Sequence, residues 1–193
     1  MATSTENVDL VGGDVVRSFA RAALLAVLIG ASAYVSIPLP VSPVPFTLQV
    51  LFVFLAGLVL GPVWGAVSMV LYLAAGAIGV PVFAGGVGGV GHLFGYTGGY
   101  LWSYPIAAFV IGLLVHQGWR VRDPATIQKT TLAAALLVGL GIIYGLGVPW
   151  LAWVQSLSLA EAAIIGMAYY VPLDLVKLAA AIAIVRSERI PVA

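Results

Sequence analysis

The sequence predicts an all-α membrane protein, a bundle of six transmembrane helices with both termini cytoplasmic, and three observations predict it. Of 193 residues, 62% are hydrophobic and only 8% charged, with a mean hydropathy of +1.13, too little polar surface to cover a water-soluble globule. No Lys, Arg, Asp or Glu occurs from position 22 to 119, where an ordinary globular stretch carries about a quarter charged residues. An even number of crossings also puts Arg17, Arg21, Arg120, Arg122, Lys129, Arg186 and Arg189 on one side of the bilayer. Cytoplasmic segments carry such an excess of cations.

Residues 1–14 are polar and mildly acidic, with Glu6, Asp9 and Asp14, and read as a flexible tail. A single six-helix domain is expected over residues 15–187, with a short tail at 188–193. The first span runs from about Val15 to Ser36. Ala31-Ser32-Ala33 has the form of a signal-peptide cleavage site, but the apolar run continues beyond it, which favours a retained helix. The segment from Ile37 to Pro45 holds Pro38, Pro40, Pro43 and Pro45 and must be a loop. Span two, about Phe46 to Leu60, ends at Gly61-Pro62, and span three follows from about Val63 to Ile78. Both are short for a bilayer crossing of about 20 residues. Glycines crowd the stretch from Gly79 to Thr97, and each costs a helix about 1 kcal/mol, so a long connection is expected there. Span four covers about Gly98 to Val115, span five about Thr130 to Val154 and span six about Ala162 to Val185. Trp150 and Trp153 suit an interfacial position.

Several functions are excluded by what the residues cannot do. A net charge of +1 offers no stripe of cations for nucleic acid. With no cysteine there is no disulfide or thiolate metal site. His92 and His116 fall on opposite sides of the predicted membrane, so they share no metal and read as solvated loop residues. No G-x-x-x-x-G-K-[ST], G-x-S-x-G or H-E-x-x-H pattern occurs, so the chain is expected to be no enzyme, with no catalytic residue, metal or cofactor. Gly86-x-Gly88-x-x-Gly91 matches the dinucleotide fingerprint, but no Asp or Glu stands between 15 and 122 to meet a ribose. These glycines read either as a backbone surface that a ligand approaches closely or as a plain connector. Phe83, His92, Phe94, Tyr96 and Tyr100 bracket them.

Two features stand out inside the spans. The eighth cation, Lys177, lies three residues after Asp174, which puts both on nearly one helical face. Intramembrane ions are costly, so the pair marks either a solute site or a structural pin between helices. On span one, Ala22, Ala26 and Gly30 form a small-residue strip that fits either a docking partner or internal packing.

Five blocks of this chain together resemble one family. They are Ser36-Ile-Pro-Leu-Pro-Val-Ser-Pro-Val-Pro-Phe-Thr-Leu-Gln49, then Leu-Ala-Gly-Leu-Val-Leu-Gly-Pro62, Gly79-Val-Pro-Val-Phe-Ala-Gly-Gly86, Thr97-Gly-Gly-Tyr100 and Pro172-x-Asp174-x-x-Lys177. In order and spacing the chain is similar to the BioY family of biotin transporters from about Phe19 to Lys177. The resemblance implies the substrate-binding S component of an energy-coupling-factor transporter in the plasma membrane. Such a protein takes biotin from outside and docks on a membrane T component carrying two ATPase subunits. It further implies a site built from Thr47, Gln49, Gly85, Gly86, Tyr100, Asp174 and Lys177, with Ala22 and Ala26 matching the family's AxxxA docking pattern and Gly30 extending it. Lys177 would meet the biotin carboxylate, Asp174 would orient it or accept a ureido N–H, and Tyr100 would pack on the ring. Tyr96 stands where the family pattern has Pro.

Overall fold

The computed structural model describes residues 12–38, 40 and 42–187. The expected tails up to residue 11 and over 188–193, Arg189 included, lie outside the described residues. Six helices and one two-stranded hairpin make up the described chain: α1 Gly13–Ser32, β1 Ser36–Ile37, β2 Phe46–Thr47, α2 Gln49–Ala77, α3 Gly98–His116, α4 Lys129–Gln155, α5 Leu159–Ala163 and α6 Val171–Val185. Their order follows the expected spans, with three corrections. Helix α1 already begins at Gly13 and stops at Ser32, because Ser36–Ile37 leaves the helix to pair antiparallel with Phe46–Thr47 and close the proline-rich loop.

Spans two and three are joined in α2, and the residue between them decides its shape. Gly61 adopts φ 73° and ψ −172°, outside any helix, and Pro62 has no N–H for the carbonyl four residues earlier. The chain doubles back at this point. A Cβ added at Gly65 would stand 2.9 Å from the Ala56 carbonyl oxygen. Gln49 Nε2 lies 2.5 Å from Tyr72 Oη, residues that one straight helix would hold about 34 Å apart. So α2 is a helical hairpin, and its arms supply two of the six legs of the bundle.

Glycines set the close crossings around that hairpin. A Cβ at Gly57 would reach the Ala108 carbonyl oxygen at 2.8 Å, and one at Gly112 would collide with the Gly61-Pro62 tip. Such small-residue contacts are how membrane helices gain packing without a hydrophobic driving force. Helix α3 therefore packs between α2 and α4, while α1 lies against α2, and α6 touches both α2 and α4. Phe54, Leu58, Met69, Ile111, Leu132, Leu136 and Ile143 fill the shared core.

The third correction concerns span six, which is not one helix. A Ser158–Glu161 capping box opens α5, a π-helical turn follows over Ile164–Ala168, and α6 leaves at 43°. Pro172 sits in the first turn of α6, where no amide is needed. By length and apolarity, α1 to α4 each qualify to cross a membrane, and the bent α5–α6 unit makes a fifth.

The two ends of the bundle differ in charge. Gly61 lies against Val121 and His116, and Arg186 donates to the Ile127 carbonyl, so the hairpin tip, the α3–α4 loop and the end of α6 share one end. Gly30 meets Val82, and the Gly85 N–H faces the Ala33 carbonyl, which puts the last turn of α1 at the opposite end with the glycine loop.

Candidate functional site

The break before α6 creates the most unusual polar group in the molecule. Asp174 falls in the first helical turn, where the helix dipole favours a carboxylate. Lys177 follows nearly one turn later, and its Nζ donates to Asp174 Oδ1 at 2.6 Å. Both side chains are buried, 5% exposed for Asp174 and 6% for Lys177. The other carboxylate oxygen, Oδ2, accepts from the hydroxyl of Tyr144 on α4. Above the ammonium lies the Phe46 ring of β2, its centre 4.1 Å away, a cation–π arrangement. Three elements distant in sequence thus hold one ion pair.

This pair faces a cavity that opens to the protein surface. In the same lining, Thr47 Oγ1 donates to Gln49 Oε1 at 3.2 Å, and the Gln49 amide continues to Tyr72. Tyr100, Tyr104, Tyr144 and Phe83 supply a largely apolar lining, to which the more exposed Tyr96 adds. Tyr100 is fixed at both ends. Its hydroxyl donates to the Gly166 carbonyl at 2.9 Å, and its ring lies edge-on to Tyr144. A side chain at Gly147 or Gly166 would occupy the volume of Tyr100, so glycine at these positions makes room for it. The π-helical turn that carries Gly166 is a local irregularity of the kind found at functional sites. One face of the proline-rich loop closes the cavity through Val44 and Pro45, and the Tyr170 hydroxyl donates to the Val44 carbonyl. In chemical terms the site offers one buried cation, one carboxylate acceptor, an amide and hydroxyl pair, and aromatic walls, which suits a flat ligand that is partly apolar and partly hydrogen-bonding.

Five of the seven expected site residues meet at this cavity: Thr47, Gln49, Tyr100, Asp174 and Lys177. Gly85 and Gly86 do not line it. Their φ values of 83° and 72° turn the chain beside Phe83, leaving Ala84 and Val87 to face inwards. Gly85 instead borders a shallower neighbouring pocket, which shares Pro45, Ala84 and Tyr96 with the first, and Gly86 abuts the Tyr34 ring. The strip on α1 is turned mostly inwards. Ala22 is fully buried, Gly30 packs on Val82, and Ala26 is half-buried against the core. His92 is exposed at the cavity mouth, whereas His116, expected to be solvated, is 1% exposed, and its Nδ1 accepts the Arg122 N–H. Trp153 is exposed as an anchor would be, while Trp150 Nε1 donates to the Gly95 carbonyl and ties the glycine loop to α4.

Tyr144, Tyr104 and Tyr72 were not anticipated from the sequence. Each sits well inside a span, away from the interfaces where tyrosine collects, and a buried hydroxyl there needs a partner. That need is the sequence signal for them.

With this geometry in view, comparisons with known proteins are specific. A probable biotin transporter BioY from Pyrococcus horikoshii is 52% identical over 91 residues, which cover 47% of this chain and 55% of that protein. The biotin transporter BioY of Thermotoga maritima is 48% identical over 101 residues, covering 52% and 59% respectively. The chain thus spans little more than half the length of these curated relatives. Among solved structures, the S-component for biotin from an ECF-type ABC transporter matches with a TM-score of 0.82 and 28% identity, over 93% of this chain and 94% of the other. The model of the BioY family matches residues 2–191, and the chain belongs to that family.

Proposed function

We propose that this chain binds biotin at the outer face of the plasma membrane and passes it inwards as the S component of an ECF-type transporter. The observation that carries the reading is the buried Asp174–Lys177 pair opening on an aromatic cavity, in a fold that matches a biotin S-component at a TM-score of 0.82. Biotin offers a carboxylate, a ureido group with two N–H donors, and an apolar sulfur ring. Lys177 answers the first, Asp174 and the Thr47–Gln49 pair the second, and Tyr100 with its neighbours the third. No bond of the ligand is made or broken, so the site needs affinity and release rather than reactive groups. Energy then comes from a T component with two ATPase subunits. Docking through α1 belongs to the same proposal, but Ala22 and Gly30 are engaged internally, which leaves Ala26 and the outward face around Leu24 and Val27 for contact.

Calorimetry on the purified protein tests the binding half: saturable, one-to-one biotin binding is expected, and its absence would end the proposal. Vesicle uptake tests the coupling half. Accumulation should require the T component and ATP hydrolysis. Uptake by the chain alone that collapses with the proton gradient would instead make Asp174 and Lys177 a proton-coupled carrier site.

A further inference from the structure

We infer that Tyr144 is a positioning residue for the ligand site, acting through Asp174 by holding its carboxylate in one orientation. The inference rests on the biotin-binding reading and adds to it a residue that no sequence block marked. Asp174 is gripped from two helices, since Oδ1 accepts from Lys177 of its own helix and Oδ2 from the Tyr144 hydroxyl of α4. With both oxygens engaged the carboxylate cannot rotate about its terminal bond without losing one donor. A carboxylate has about four lone-pair sites, so about two remain to accept from a ligand. The phenol therefore sets the direction in which those sites point.

Tyr144 is itself held in place. Its ring stands edge-on to Tyr100 with centroids 6.4 Å apart, and Tyr100 is locked onto Gly166 of the π-helical turn. Tyr144 is 8% exposed and lines the cavity beside Tyr104 and Ile143. The whole chain of contacts links α3, α4 and the bent α5–α6 unit to a single acceptor group, so the pairing is preorganised before any ligand arrives. A ligand N–H placed against this carboxylate pays little for its reorientation. Once Tyr144 no longer donates, Asp174 is free to turn towards Lys177, and the same N–H meets a misaligned acceptor.

The test is a mutant cycle on the full-length purified chain, read by calorimetric biotin affinity. Tyr144→Phe should weaken binding about tenfold, as loss of a hydrogen bond to a charged group implies. Asp174→Asn should also weaken it. The double variant should bind no worse than Asp174→Asn alone, because the amide has one acceptor oxygen where Lys177 and Tyr144 need two, and the two-point grip through which Tyr144 acts is gone. A phenol that contacts the ligand independently of Asp174 would show additive losses, one that merely fills space would leave Tyr144→Phe at wild-type affinity, and either result would overturn the inference. Should the Phe variant fail to fold, 3-fluorotyrosine at position 144 keeps the ring shape and donates more strongly. It should change biotin affinity in the Asp174 background and not in Asp174→Asn, and an equal change in both backgrounds, or no change in either, would overturn the inference. Failure of the wild type to bind biotin would remove the underlying reading and this inference with it, whereas binding with additive losses would remove this inference alone.

Discussion

Lys177 carries three N–H donors and spends one on Asp174, with the Phe46 face covering another side. The remaining donor capacity is what a ligand carboxylate can engage. Removing the ammonium should weaken biotin binding by roughly 10- to 150-fold, the range of a buried charge-assisted contact. It also strips Asp174 of its partner, which destabilises a buried pair by about 3–5 kcal/mol, so lost binding alone is ambiguous. The ligand must change as well. Biotinamide, which lacks the charge, should bind wild type much more weakly than biotin, yet bind folded Lys177→Ala as well as biotin does. A variant that still prefers biotin over its amide as strongly as wild type would assign the pair to architecture. At this scale the sequence exposed the ion pair, because two charges in an apolar helix are conspicuous at any spacing. It did not expose the role of Tyr144, since a tyrosine inside a span signals only that its hydroxyl needs a partner, and the approach of α4 to α6 decides that the partner is Asp174. Gly85 and Gly86 show the converse. Glycine permits both close ligand approach and positive φ, and here the backbone turn takes precedence.

At the level of elements, the Gly61-Pro62 break is legible in the sequence because one residue tolerates positive φ and the other lacks a donor. The bend before α6 was harder to see. Gly166 and Pro172 are both tolerated in membrane helices, so neither required the π-helical turn that sits between Ala163 and Tyr169. The hairpin of α2 makes a prediction whose sign depends on its shape. In a straight helix, Gly65→Ala would gain about 1 kcal/mol from helix propensity. In the hairpin the added methyl would stand 2.9 Å from the Ala56 carbonyl oxygen and 3.1 Å from its carbon, and neither backbone atom can move aside as a side chain could. Such overpacking costs about 1–3 kcal/mol, towards the upper end where backbone meets backbone. A lower melting temperature for the detergent-solubilised Gly65→Ala protein is therefore expected, and a higher one would mean the two arms do not touch.

For the whole molecule, charge and cavity lie at opposite ends, and that separation fixes how the protein should sit in its membrane. Arg120, Arg122, Lys129 and Arg186 gather around the tip of the α2 hairpin, and Arg17 and Arg21 lie on the first half of α1. Since the last turn of α1 contacts the glycine loop, its start lies about 30 Å away from it along the helix axis, towards the end that carries those cations. Among the described residues, Lys177 is the one Lys or Arg at the cavity end, and it is buried. The rule that positive segments stay in the cytoplasm predicts the hairpin tip inside and the cavity mouth outside. The native chain has no cysteine, so single introduced cysteines report this without ambiguity. An impermeant thiol reagent added to intact cells should label Val87→Cys at the mouth and spare Gln128→Cys until the membrane is opened. The reverse pattern would invert the molecule and remove the outward-facing site. Biotin adds a second readout to the same experiment. Val87 lines the cavity, whereas Ile78, 84% exposed at the same end, does not. Saturating biotin should therefore slow labelling of Val87→Cys and leave Ile78→Cys unchanged. Equal labelling rates with and without biotin at both positions would separate the cavity from the ligand even if the orientation holds.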